Sequence, residues 1–213
     1  PTTQGYQGAE VVNVVPKRLD DPREADNGST WEIEDWLSFN EKPFYQVLTA
    51  FPEFYLLIRR AGLAPGGDLN FINTANPYTI FAMDSAACAQ VYADSLPTDS
   101  LQNLILTHFI RQDVIFTDGY ANSGYYETLR PHESSTQFNT VYSKINIQTG
   151  IDEITILDKD GGVYTTIAES DSTNIIVSTI NGQGGDVQDI RSSSVFHIIS
   201  TPLKFEELNV DQQ

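Results

Sequence analysis

Tyr78-Thr79-Ile80-Phe81-Ala82-Met83-Asp84-Ser85-Ala86 is the stretch that decides the fold. Tyr78–Ala82 are apolar or β-branched with no charge, the composition of a short buried strand. Asp84 then stands where a helix cap belongs, its carboxylate able to accept backbone N–H groups of a helix over Ser85–Tyr92. Upstream, Phe44, Val47, Leu48 and Phe51 share one helical face. Pro52 suits the first turn of a second helix, with Phe54, Leu57, Ile58 and Ala61 inward. Gly62 is placed to end that helix in a left-handed conformation.

Downstream, Thr98 or Asp99 caps a further helix in which Leu101, Leu104, Ile105, His108 and Phe109 share a face. Beyond residue 110 the apolar period becomes two. Ile154–Leu157 and Val163–Ile167 flank Asp158-Lys159-Asp160-Gly161-Gly162, a strong hairpin signal. Ile175–Ile180, a Gly-rich turn at 181–185, Asp186–Arg191 and Val195–Ser200 complete the β half. Helices first and strands afterwards predict an α+β domain. Residues 1–42 read as an N-terminal arm or linker with one short helix near Trp31–Leu37, residues 43–204 as the folded domain, and 205–213 as a C-terminal tail.

The 213 residues carry 29 acidic and 12 basic side chains, a net charge of −17. That balance argues against a phosphate backbone or an anionic membrane surface as partner, since both are gripped by clustered Lys and Arg. It leaves polycations and divalent ions open, beside the plain reading that acidity keeps the protein soluble. Part of the imbalance lies outside the domain: residues 1–42 hold nine acidic against four basic, and 205–213 three against none. The single Cys88 excludes an internal disulfide and reads as a small buried hydrophobe. The longest apolar runs are too short to cross a bilayer, so no membrane insertion is expected. A start at Pro1 rather than Met reads as a trimmed or processed product.

A search for chemistry assigns no catalytic, cofactor-binding or metal-ligating residue. His132-Glu133 opens like a zinc-protease helix, but Thr136 occupies the place of the second ligand. Asp158–Gly161 lacks the glycine spacing and bidentate Glu of a calcium loop. Gly182-Gln183-Gly184-Gly185 lacks the third spaced Gly of a dinucleotide site. His108 and His197, each among apolar neighbours, read as core imidazoles that tie segments together by hydrogen bonds. His132 reads as solvated. Eight acidic residues and one lysine in 150–189 read as solvated turns. Tyr120, Tyr125 and Tyr126, in a Gly-Asn-Ser context, are poor core candidates and suit contact with a sugar ring or a protein partner.

Taken together, the segments resemble fasciclin domains. Tyr78–Ala86 is similar to the first signature, a strand ending Thr-x-Phe-Ala-Pro that leads through Asp or Asn to a helix, with Met83 in the place of Pro. Leu101–Leu106 with Thr107-His108 resembles the central Leu-rich helix ending in Tyr-His. Ser193–Leu203 resembles the closing signature Asn-Gly-x-x-His-x-Ile-Asp-x-x-Leu. Phe44–Leu63, with Phe-Pro-Glu-Phe and Ala-Gly-Leu, fits the first helices. The resemblance covers about 160 residues. It implies a β-wedge with a helical layer, no shared catalytic site, and structural roles for Thr79, Phe81, Asp84, His108, His197 and Leu203. It also implies an extracellular or cell-surface adhesion module that engages protein or polysaccharide through exposed loops, anchored through a preceding segment. The acidic, disulfide-free chain resembles bacterial members more than animal ones. The competing expectations are a spacer or assembly domain of a surface lipoprotein, and a glycan-processing enzyme built on paired carboxylates.

Overall fold

The computed structural model describes residues 48–208, apart from 68, 70, 74, 75, 171 and 181–189, with side chains left out at 176–180 and 190–193. The expected arm over 1–42, its short helix, the first-helix residues Phe44 and Val47, the Gly-rich turn at 181–185 and residues 209–213 lie outside the described residues. By its contacts the chain divides after Glu41, and every described residue belongs to the unit Lys42–Gln213.

Helix α1 spans Pro52–Arg60, with Pro52 at its start, where a missing N–H costs nothing. Its buried face is Phe54, Leu57 and Ile58. Gly62, at φ 73°, closes it. The Leu63 N–H reaches back to the Ile58 carbonyl at 3.2 Å and the Gly62 N–H to Arg59 at 3.0 Å. This pair of bonds satisfies carbonyls that the helix leaves open, and it requires the left-handed residue.

Strand β1, Tyr78–Met83, is buried along its whole length. It lies inside one mixed sheet of eight strands among the described residues, in the order β6-β5-β4-β3-β2-β1-β8-β7. The other strands are β2 (Phe109–Arg111), β3 (Gly124–Pro131), β4 (Tyr142–Gly150), β5 (Glu153–Leu157), β6 (Val163–Ala168), β7 (Ile175–Ile180) and β8 (Ile190–Ile199). All neighbouring pairs are antiparallel except β1 with β8, which run parallel in the register Ile80↔Phe196 and Phe81↔His197. A strand covered on both faces shows a continuous apolar run, which is why Tyr78–Met83 does not alternate. Strand β4 does alternate, burying Ser143, Ile145 and Ile147 and turning Lys144 and Gln148 outward. The core sits where α1 and the sheet meet, around Phe54, Phe81, Ile105, Phe109 and Phe196.

Helix α2, Ser85–Ala93, follows β1, and the Asp84 carboxylate accepts the Ala87 N–H at 2.8 Å as its cap. Helix α3 spans Thr98–Thr107. Neither Thr98 nor Asp99 caps it. The Pro97 carbonyl accepts the Leu101 N–H at 2.9 Å, so the chain is helical from Thr98 onward and Asp99 lies in the first turn, where its charge complements the helix dipole. The helix also stops earlier than the shared face suggested. His108 is its final cap and Phe109 already belongs to β2, because pairing with β1 draws the chain out of the helix.

The hairpin between β5 and β6 forms as expected. Asp158 accepts the Asp160 and Gly162 N–H groups on one carboxylate oxygen, and Gly161 takes φ 82°. A further helix, α4, covers Phe205–Leu208. The folded body therefore continues past the boundary expected at residue 204, because Phe205 and Leu208 are apolar and buried.

Candidate functional site

Two hydrogen-bonded ties organise the residues singled out by the sequence. The first joins α3 to the segment after β8. His108 is fully buried, and its Nδ1–H donates to the Leu104 carbonyl at 2.9 Å. Its Nε2 accepts the Leu203 N–H at 3.0 Å. Because Nε2 must accept, the proton belongs on Nδ1 and the ring is neutral. Leu203 is itself buried. Near the same segment, Asp84 holds the end of β8: its second carboxylate oxygen accepts the Ser200 hydroxyl at 2.5 Å, and its N–H donates to the Ile199 carbonyl at 3.0 Å.

The second tie fixes the loop between β2 and β3. The Thr79 hydroxyl donates to the Asp113 carbonyl and accepts the Ile115 N–H, both at 2.9 Å. The His197 Nε2–H donates to the Ile115 carbonyl at 2.9 Å, and its Nδ1 accepts the Asn174 N–H at 3.4 Å. This ring is therefore the opposite tautomer to His108. Asn174 continues the chain, accepting the Thr117 N–H and donating to the Thr117 hydroxyl. The Thr117 carbonyl then accepts the Asp152 N–H at 2.6 Å. Phe81 packs beside His197, ring centroids 5.8 Å apart. Thr79, Ile115, Thr117 and His197 are all buried, so the loop is clamped from the inside of the protein.

That clamp presents Tyr120. Asp118 forms a bridge with Ile151 in the β4–β5 turn, and its carboxylate accepts the Tyr120 N–H at 3.0 Å. Gly119, at φ 73°, lies so close to the backbone of Gly150 and Ile151 that an added Cβ would sit 3.2 Å from it. Only glycine meets both demands. The Thr149 hydroxyl donates to the Ala121 carbonyl, closing the other side of the loop. Tyr120 is 90% exposed on this braced loop, and Ile151 80% exposed in the turn that braces it.

The three tyrosines separate in the structure. Tyr125 and Tyr126 lie in β3 rather than in a loop, and strand alternation sends them to opposite faces. Tyr125 is about half exposed. Tyr126 packs against the core, with its hydroxyl bonded to the Asn122 carbonyl, so it is not a free contact residue. Sequence reasoning missed Thr117, Asn174 and Ile151. Asn174 carried a weak signal, an Asn in a Ser-Thr-Asn run that takes φ 55°. Thr117 and Ile151 carried none. Phe138, 96% exposed in the β3–β4 turn, was also missed.

Burial governs the chemistry of the interior groups. It pushes both buried histidines down to about 4, against the opposing pull of the carbonyl each one bonds. It pushes the Cys88 thiol up to about 12, aided by the charges of Glu53 and Asp84. Among the described residues, no three His, Cys, Asp or Glu side chains converge as a metal site. One carboxylate pair does meet. A hydrogen bond to Asp152, followed by burial, raises Glu169, but the two share that bond directly on an exposed turn. Glycoside hydrolysis needs carboxylates about 5–9.5 Å apart across the scissile bond. An open depression of about 460 Å³ lies elsewhere, lined by Asp158, Asp160, Tyr164, Thr201 and Glu207 among others. There Asp158 is engaged by its own hairpin turn, and the Tyr164 hydroxyl by the Pro202 carbonyl at 2.8 Å.

The described residues thus define an α+β module with a braced surface turn. No protein-family model matches the chain, and no curated protein does. Among solved structures, the chain is similar to a FAS1 domain pair from the insect cell adhesion molecule fasciclin I, with 17% sequence identity and a TM-score of 0.37. That similarity covers 74% of this chain and 49% of the other, so the chain spans about half the length of its neighbour. No helix among the described residues is long and apolar enough to cross a membrane.

Proposed function

We propose that this chain is a fasciclin-like module, a β-wedge with a helical layer, that acts outside the cell or at its surface as a non-enzymatic binding domain. It engages a protein or a polysaccharide through exposed loops, with Tyr120 as the principal contact and the half-exposed Tyr125 of β3 as a second. One observation carries the reading: Tyr120 is 90% exposed, yet its loop is held by a continuous hydrogen-bond chain from Thr79 and His197. An apolar ring held in water on an ordered support loses little conformational entropy on binding, the property that makes tyrosine effective at recognition surfaces. The buried histidines and Cys88 support the reading from the other side, since none stands in contact with solvent where a substrate would arrive.

The test is a glycan array together with a pull-down from extracellular protein extract, run on the parent chain and on Tyr120→Ser. A ligand that the parent retains and the variant loses, at unchanged melting temperature, supports the reading. Ligands held equally by both, or none above background, overturn it.

A further inference from the structure

Around Tyr120 the described surface is acidic. Asp118 precedes the ring by two residues, and Asp152 follows Ile151 directly. The Glu153 side chain leans over Gly150, its Cγ 3.0 Å from where a Cβ on that glycine would stand. The Glu169 N–H donates to the Asp152 carbonyl at 2.7 Å, which brings this carboxyl beside that of Asp152. The segments that build this end of the sheet, 112–126, 145–158 and 160–174, contain no Lys or Arg. The ion pairs among the described residues lie elsewhere, at Arg111–Glu127, Lys144–Glu127 and Lys204–Asp94. Four carboxyl groups therefore lie near two exposed apolar side chains, and among the described residues no Lys or Arg forms an ion pair with them.

From this charge and shape we infer that the Tyr120–Ile151 turn docks a cationic protein segment, one that places an Arg or Lys against the Tyr120 ring and an apolar neighbour over Ile151. The inference rests on the proposed binding role and names its partner class. A guanidinium stacks on an aromatic face and bonds carboxylates in pairs, so one Arg satisfies both features of the turn. Neutral and acidic polysaccharides lack the charge that the rim requires, and acidic ones are repelled by it. Uncompensated surface charge of one sign also speeds the encounter with an opposite partner. Ile151 and Tyr120 supply the apolar centre that charge alone does not give.

The experiment uses the whole chain and three soluble ten-residue peptides of alternating Arg and Leu, Gln and Leu, or Glu and Leu, followed by amide chemical shifts and a titration. The expected result is that the Arg peptide shifts residues 117–121 and 150–153 first. Tyr120→Ser, and separately the set Asp118→Asn, Asp152→Asn and Glu153→Gln, should each weaken it about tenfold. A control set that removes the same charge far away, Asp94→Asn, Asp99→Asn and Glu206→Gln, should change it less than about twofold at 0.15 M salt, where distant charges are screened. Equal weakening by the control set overturns the inference, because the peptide then reads only the net charge. Shifts at Tyr120 caused by the Gln or Glu peptide or by a glycan, without the Arg peptide, overturn the cationic partner and leave the binding role standing. No shift at this turn with any probe overturns both.

Discussion

Lowering the pH from 6.5 toward 4 should destabilise this protein through its two buried histidines, with the loss beginning before most carboxylates titrate. Each ring is neutral because one nitrogen accepts a backbone N–H, and a second proton there replaces an acceptor with a donor aimed at a donor. In the unfolded chain a histidine titrates near 6.5, whereas His108 and His197 are held down to about 4. Between those values the unfolded state binds protons that the folded state refuses, so stability is fully present above pH 6.5 and falls as the pH drops toward 4. At 1.36 kcal/mol per pH unit the loss comes to about 3 kcal/mol for each ring. Two such losses are comparable with the whole stability of many domains, about 5–15 kcal/mol. Asp113 and Glu169, both raised, act in the opposite sense and stabilise the fold as they protonate. The assay is urea unfolding followed by circular dichroism at several pH values from 7 to 4.5. His108→Gln and His197→Gln keep an amide at each position and remove the titration, so each variant should flatten the curve. An unfolding free energy independent of pH over this range, or an undiminished slope in the double variant, refutes the assignment of both rings as neutral ties.

Two further outcomes probe the frame. Thr79→Val removes a hydroxyl that serves both Asp113 and Ile115, so it should cost about 1–3 kcal/mol and raise amide exchange at Ile115, with little effect at Ala87. Gly62→Ala meets nothing within 4 Å, yet must adopt φ 73°. Its cost, about 1 kcal/mol in a denaturation curve, is therefore conformational, and Gly62→Asn should recover part of it.

Features that depend on a few neighbouring residues were legible in the sequence. Asp84 caps α2, Asp158 to Gly162 turns β5 into β6, and Gly62 closes α1, each through bonds spanning six residues or fewer. Where neighbouring signals compete, local pattern alone does not decide the structure. Thr98 and Asp99 are good capping types, but the chain enters α3 from Pro97 and leaves a side-chain cap no role. Leu101 to Phe109 continues the apolar helical spacing, but strand pairing with β1 ends the helix at Thr107. The polar context of Tyr126 points to an exposed side chain, but strand alternation packs it against the core.

The sequence by itself determined the α+β class, the local caps and turns, and which apolar residues seek the interior, because these follow from periodicity and short-range bonding. Only the tertiary structure decided what each of them touches. The partners of His108 and His197 lie 95 and 82 residues away, at Leu203 and Ile115. The parallel pairing of β1 with β8 joins Thr79 to Val195. Tyr120 and Ile151 come to one stretch of surface because Gly119 lets the β2–β3 loop approach the β4–β5 turn. Such contacts depend on how the chain closes over long separations, and no local pattern encodes that closure.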